Sequence, residues 1–222
     1  MTNNSATTTG LSSINSPISR IFFITAVIYL ISLPFTPYPY QYSVKALPIF
    51  ILALSCFTLL DGKNKWLMSI ALCFSFIGDI FLAIEFTMSF QYGLLSFLIA
   101  HIFYSIYFIK LPSKTNKYKL ISIIAICAFS VVAASIIIPA ANALMVPVAG
   151  YLIVITLMAV IAFYKSINRK LLFGVICFLL SDTLLAINMF VSPIPLASLW
   201  VMLTYYSAQF FIFSGAMQFN RR

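Results

Sequence analysis

The sequence predicts an all-α protein: a polytopic bundle of about eight transmembrane helices with both termini cytoplasmic. Three observations carry this. The 222 residues are 63% hydrophobic and only 8% charged, with a mean hydropathy of +1.07, whereas a soluble domain carries roughly 25% charged residues. Apolar runs of roughly 20 residues, the length that crosses a bilayer's hydrocarbon, recur between short polar breaks. The basic residues fall in alternate breaks, as positive-inside topology requires. A transmembrane barrel would instead show segments of about ten residues with alternating polarity, and none is present.

Taken in order, residues 1–17 form a polar Thr/Ser/Asn tail expected to be flexible, and 18–222 form one integral-membrane domain. The runs are 19–36, 43–60, 66–86, 90–110, 119–138, 145–165, 171–191 and 197–218. The first is preceded by a polar tail with a single Arg20 at the junction and lacks a small-residue cleavage site, so it reads as a retained helix. Lys63 and Lys65 separate the second and third runs, and Lys110, Lys114, Lys117 and Lys119 the fourth and fifth. Lys165, Arg169 and Lys170 separate the sixth and seventh, and Arg221 and Arg222 end the chain. The intervening breaks PYPYQY, MSFQY, PAANA and VSPIP have no Lys or Arg. Of the 13 basic residues, all but Lys45 therefore lie on one side, which is cytoplasmic. The net charge of +9 is topology and calls for no nucleic-acid partner. Compact size and short loops suit a bacterial cytoplasmic membrane. Cys56, Cys73, Cys127 and Cys177 lie in apolar runs at unrelated spacings and read as small packing residues.

Few polar groups interrupt the runs. Asp79 sits within FSFIGDIFLAIEF and Asp182 within CFLLSDTLLAINMF. Intramembrane carboxylates are rare and usually functional. At about 1.5 Å per residue, both lie roughly 17–20 Å from the cytoplasmic edge, so they share a depth. The segments also align: Gly78-Asp79-x-x-Leu82-Ala83-Ile84-Glu85 overlies Ser181-Asp182-x-x-Leu185-Ala186-Ile187-Asn188. Runs three and seven point the same way, which suggests a four-plus-four parallel repeat, although the flanking runs align poorly. His101 and Tyr104 share a helix face, as do Tyr205 and Gln209 with Tyr206 adjoining. Such groups turn inward because lipid cannot satisfy them, and each also suits interhelical hydrogen bonding. Lys45, at the outer start of the second run, either snorkels to the headgroups or meets a ligand. Ser75 and Ser181 can bond their own backbone, and Glu85 lies near an outer helix end.

Two carboxyl groups in a poorly hydrated site cannot comfortably both ionise, so they share a proton. That pair suits acid-catalysed cleavage through a cationic transition state. A three-histidine zinc site is excluded by the single His101, and a His/Asp/Asp metal site has the ligand count but no spacing motif. The chain has no Gly-rich phosphate loop and no G-x-S-x-G elbow.

The motifs GD-x-x-L at 78–82, His101-x-x-Tyr104, SD-x-x-LA at 181–186 with Asn188 and Phe190, and YY-x-AQ at 205–209 resemble those of the lysoplasmalogenase, or YhhN-like, family. Lys45-x-Leu47-Pro48 and the Tyr151 to Met158 spacing are similar too, and the resemblance runs from about residue 40 to 215. It implies a multi-pass hydrolase that cleaves the vinyl ether bond of lysoplasmalogens to a fatty aldehyde and glycerophosphoethanolamine or glycerophosphocholine. The family is not known to need a metal or organic cofactor. The partners implied are a lysophospholipid with a vinyl ether chain and membrane lipid. Asp79 and Asp182 would be catalytic. Lys45, His101, Tyr104, Asn188, Tyr205, Tyr206 and Gln209 would bind substrate or position the acids.

A rival reading uses the same carboxylates in a small proton-coupled transporter. Transporters usually break a helix at the substrate site. Here Pro34, Pro48, Pro112, Pro139, Pro147, Pro193 and Pro195 cluster near run ends and the aspartate helices carry none, which argues against transport.

Overall fold

A computed structural model describes residues 17–60, 62, 64–113, 117–165 and 168–220. The polar tail through residue 16, Lys63, Lys114, Arg221 and Arg222 lie outside the described residues. Every regular element among the described residues is helical. Eight long helices stand where the eight apolar runs predict them: α1 Pro17–Ser32, α2 Gln41–Leu59, α3 Lys65–Phe81, α4 Ser89–Lys110, α5 Lys119–Ala140, α6 Met145–Lys165, α7 Arg169–Ala186 and α8 Ala197–Asn220. The protein is thus an all-α, multi-pass integral membrane protein. Six of the eight are long and apolar enough to cross a bilayer. The exceptions are α3, with 17 residues, and α8, which carries Tyr205, Tyr206 and Gln209.

Two ends differ from expectation. The third run is expected to reach Phe86, yet α3 stops at Phe81. Leu82 N–H still donates to Gly78 O at 2.9 Å, but Ala83 N–H bonds only three residues back, to Ile80 O at 3.0 Å. The seventh run reaches 191, but past Ala186 it continues as a π turn, Ile187–Val191. Pro48, expected near a run end, lies inside α2.

The helices form a ring of neighbours: α1, α2, α3, α4, α6, α7 and α8, with α8 closing against both α2 and α1. Helix α5 stands outside it, against α6 and the π turn. The pattern repeats between halves. Contacts α1–α2, α2–α3 and α3–α4 are matched by α5–α6, α6–α7 and α7–α8, and across the halves α4 meets α6 as α8 meets α2. Close approaches rest on small residues, as bilayer packing favours. A Cβ on Gly174 of α7 would come within 2.8 Å of Ala208 O and Ile212 N of α8. Asn168 caps α7, accepting from Leu171 N–H at 2.8 Å. Its amide donates to Gly215 O at 2.9 Å, tying in the end of α8. Cys56 and Cys177 are buried, Cys73 and Cys127 exposed, and all four are free.

Candidate active site

The first carboxylate is placed by the way α2 is anchored to the end of α3. Gln41, the first residue of α2, donates through Nε2 to Ala83 O at 3.1 Å, just past the end of α3. One turn along α2, Lys45 Nζ comes within 3.9 Å of Asp79 Oδ1. Lys45 does not snorkel to the rim: it is 8% exposed, and Asp79 is 1% exposed. From α8, Tyr205 donates its hydroxyl to Asp79 Oδ2 at 2.7 Å. Its neighbour Tyr206 donates to the carbonyl of Lys45 at 2.7 Å. Consecutive tyrosines therefore hold the acid and the backbone of its cation.

The second carboxylate stands 13 residues into α7 (182 − 169), as Asp79 stands 14 into α3 (79 − 65). Tyr151 of α6 donates a short hydrogen bond to Asp182 Oδ2. His101 Nε2 lies 3.8 Å from the same oxygen, too far for a hydrogen bond. The imidazole is fully buried and meets Phe178 and Tyr151 edgewise, with centroids 4.6 and 5.3 Å away. The Phe97 carbonyl lies beside the ring, yet neither nitrogen reaches hydrogen-bond geometry with a described residue. The Asp182 side chain is 12% exposed against 2% for that of Asp79, so it is the more open of the two.

Both carboxyl groups line one cavity of about 320 Å³, at the small end of the range for ligand pockets. Lys45, Tyr205 and Asn188 line it as well, with walls that include Leu94, Phe97 and Leu152. It lies where α3 and α7 end and α4, α6 and α8 begin. The described basic residues Lys65, Lys110, Lys119, Lys165 and Arg169 sit at the opposite helix ends. The other expected residues do not line the cavity. Tyr104 donates to Gln209 Oε1 at 2.6 Å, and both are buried behind it. Tyr206 and His101 stand behind Lys45 and Asp182. Asn188 borders the cavity from the π turn, but its Oδ1 accepts from Ile194 N–H at 2.9 Å, holding the link to α8. Ser181 donates to Val201 O at 3.0 Å, a bond between helices where a bond to its own helix was expected. No group of three or more His, Cys, Asp or Glu converges among the described residues.

Two tyrosines that line the cavity escaped the sequence reading as site candidates. Tyr151 entered only as half of a spacing, and Tyr29 of α1 not at all. The available signal was a lone hydroxyl in otherwise apolar runs, which tyrosines at membrane interfaces also give. The assembled site offers two carboxyl groups, an ammonium and phenolic donors in a small, largely apolar chamber. Such a chamber can move protons and stabilise positive charge.

Residues 40–216 match the model of the YhhN family. Two mammalian proteins named lysoplasmalogenase TMEM86B are similar to the chain. The one from Mus musculus is 26% identical over 178 residues, covering 79% of this chain and 74% of that protein. The one from Rattus norvegicus is 28% identical over 178 residues, covering 79% and 72%. No solved structure matches.

Proposed function

Because the chain belongs to the YhhN family, we propose that it is a hydrolase that cleaves the vinyl ether bond of lysoplasmalogens. The products are a fatty aldehyde and glycerophosphoethanolamine or glycerophosphocholine. The observation that carries this is that Asp79 and Asp182, from distant parts of the chain, line the same small cavity. A vinyl ether hydrolyses when its β-carbon is protonated. The resulting oxocarbenium ion is captured by water, and the hemiacetal collapses to aldehyde and alcohol. One carboxyl group gives the proton, and the other stabilises the cation and orients the water.

The chamber's size suits one chain of a lyso-lipid, entering between helices from the bilayer. Lys45, the one basic residue among the described lining residues, is available to the substrate phosphate as well as to Asp79. Tyr205 holds Asp79 directly, and Asn188 shapes the wall. His101, Tyr104, Tyr206 and Gln209 act through the residues they support. In a bacterial cytoplasmic membrane the positive-inside rule would turn the cavity away from the cytoplasm.

The test is aldehyde release from lysoplasmenylethanolamine by purified protein in detergent. Asp79→Asn and Asp182→Asn should each lower turnover by about 10²–10⁴, the usual worth of a positioned acid or base. Near-normal turnover in both folded variants would sink the reading. Proton flux across liposomes without aldehyde would favour the transporter.

A further inference from the structure

The two carboxyl groups occupy matching settings with unlike partners. Each takes one partner from the helix before its own: Lys45 of α2 for Asp79, Tyr151 of α6 for Asp182. Each takes its other neighbour from the last helix of the opposite half: Tyr205 of α8 for Asp79, His101 of α4 for Asp182. The offsets agree: 182 − 79 = 103, 205 − 101 = 104 and 151 − 45 = 106. Near-equivalent positions therefore differ in chemistry, and that difference separates the roles of the two acids.

Around Asp79, both oxygens face donors: Oδ1 the Lys45 ammonium at 3.9 Å, Oδ2 the Tyr205 hydroxyl at 2.7 Å. A carboxylate accepts at both oxygens, so this setting suits the ionised form. Around Asp182, both neighbours fall on Oδ2, the hydroxyl of Tyr151 and the more distant His101 Nε2. The imidazole, fully buried with neither nitrogen hydrogen-bonded to a described residue, fits a neutral ring and supplies no cation. Oδ1 of Asp182 has no donor of its own among the described residues and is free to carry a proton. One buried cation serves one buried anion, and a second anion would go uncompensated.

Resting on the vinyl ether reading above, we infer that Asp182 is the proton donor, positioned by Tyr151, and that Asp79 is the standing carboxylate, held ionised by Lys45 and Tyr205. The O–H bond at Asp182 Oδ1 breaks and a C–H bond forms at the alkene β-carbon, using the alkene π pair. The α-carbon becomes the oxocarbenium centre. Water attacks it, and the proton lost by that water passes to the Asp79 carboxylate. In the collapse, the hemiacetal hydroxyl returns a proton to Asp182. Asp79 gives its proton to the glycerol oxygen as the C–O bond breaks. One water is consumed, both acids return to their starting forms, and no redox partner is needed.

The experiment is infrared spectroscopy of the full chain in detergent at neutral pH, reading the carbonyl stretch of protonated carboxyl groups. One such band is expected in the wild type, absent from Asp182→Asn and present in Asp79→Asn. The reverse assignment, no band, or a band surviving both substitutions overturns the proposal. Should Asp79→Asn fail to fold, Lys45→Met serves instead: a second protonated band is expected, and its absence overturns the role given to Lys45. For Tyr151→Phe, the Asp182 band should move to higher frequency, with kcat down about tenfold or more and KM within about twofold. An unmoved band removes Tyr151 from its positioning role. The expected bands without aldehyde release would leave the proton where we place it and overturn the substrate, and with it the proposed reaction.

Discussion

A hydroxyl buried in a bundle matters chiefly through what its loss leaves behind. Tyr104 donates to Gln209 Oε1 behind the cavity. Tyr104→Phe should therefore lower stability by about 1–3 kcal/mol, the usual cost of a stranded buried acceptor. KM should hold, because neither side chain lines the chamber. Thermal unfolding in detergent beside steady-state kinetics checks both halves of this prediction. The same scale shows how much single residues disclose. Asp79 and Asp182 were legible because a carboxylate has few bland uses in apolar sequence. Tyr151 was not, since a tyrosine there is chemically ordinary until its partner is known. Lys45 was legible only in part. Its place at an outer helix start fits snorkelling, and only the antiparallel seating of α2 on α3 turns it toward Asp79.

At the scale of the element, the number and order of helices follow from run length, and their ends do not. Hydropathy is blind to where α3 stops, because Leu82, Ala83 and Ile84 are apolar whether helical or not. It is equally blind to the π turn, which keeps the composition of α7 but changes the hydrogen-bond step. Packing distances are also invisible in composition. A methyl group on Gly174 would meet backbone atoms of α8 at 2.8 Å, and no side chain can move aside for it. Gly174→Ala should destabilise the protein and loosen α7 from α8. A Cβ placed on Gly150 of α6 would meet nothing within 4 Å, and there alanine should add up to about 1 kcal/mol through helix propensity. A detergent melting series on the two variants, compared with wild type, tests the contrast.

At the scale of the whole molecule, the basic helix ends and the cavity lie at opposite ends of the bundle. If charge sets orientation, a cysteine at exposed Ala143 will react with a membrane-impermeant maleimide on intact cells. One at exposed Ser113 will react only after the cells are opened. Both are to be placed in a chain whose four native cysteines are replaced. Equal labelling of the two would dismiss the orientation. Charge arithmetic makes the separation of basic ends from buried carboxylates readable from sequence. The assembly of the ring, with α5 left outside it, is not, because it depends on which faces meet.

The crossing of partners between halves has a historical consequence. Tyr205 comes from the second half to the acid of the first, and His101 from the first to the acid of the second. Fusion of two copies of a four-helix ancestor, each completing its twin in a parallel homodimer, would leave such a pattern. Cutting the present gene between α4 and α5 should then restore the older arrangement. The fragments expressed together should rejoin and regain turnover, while either one alone stays inert.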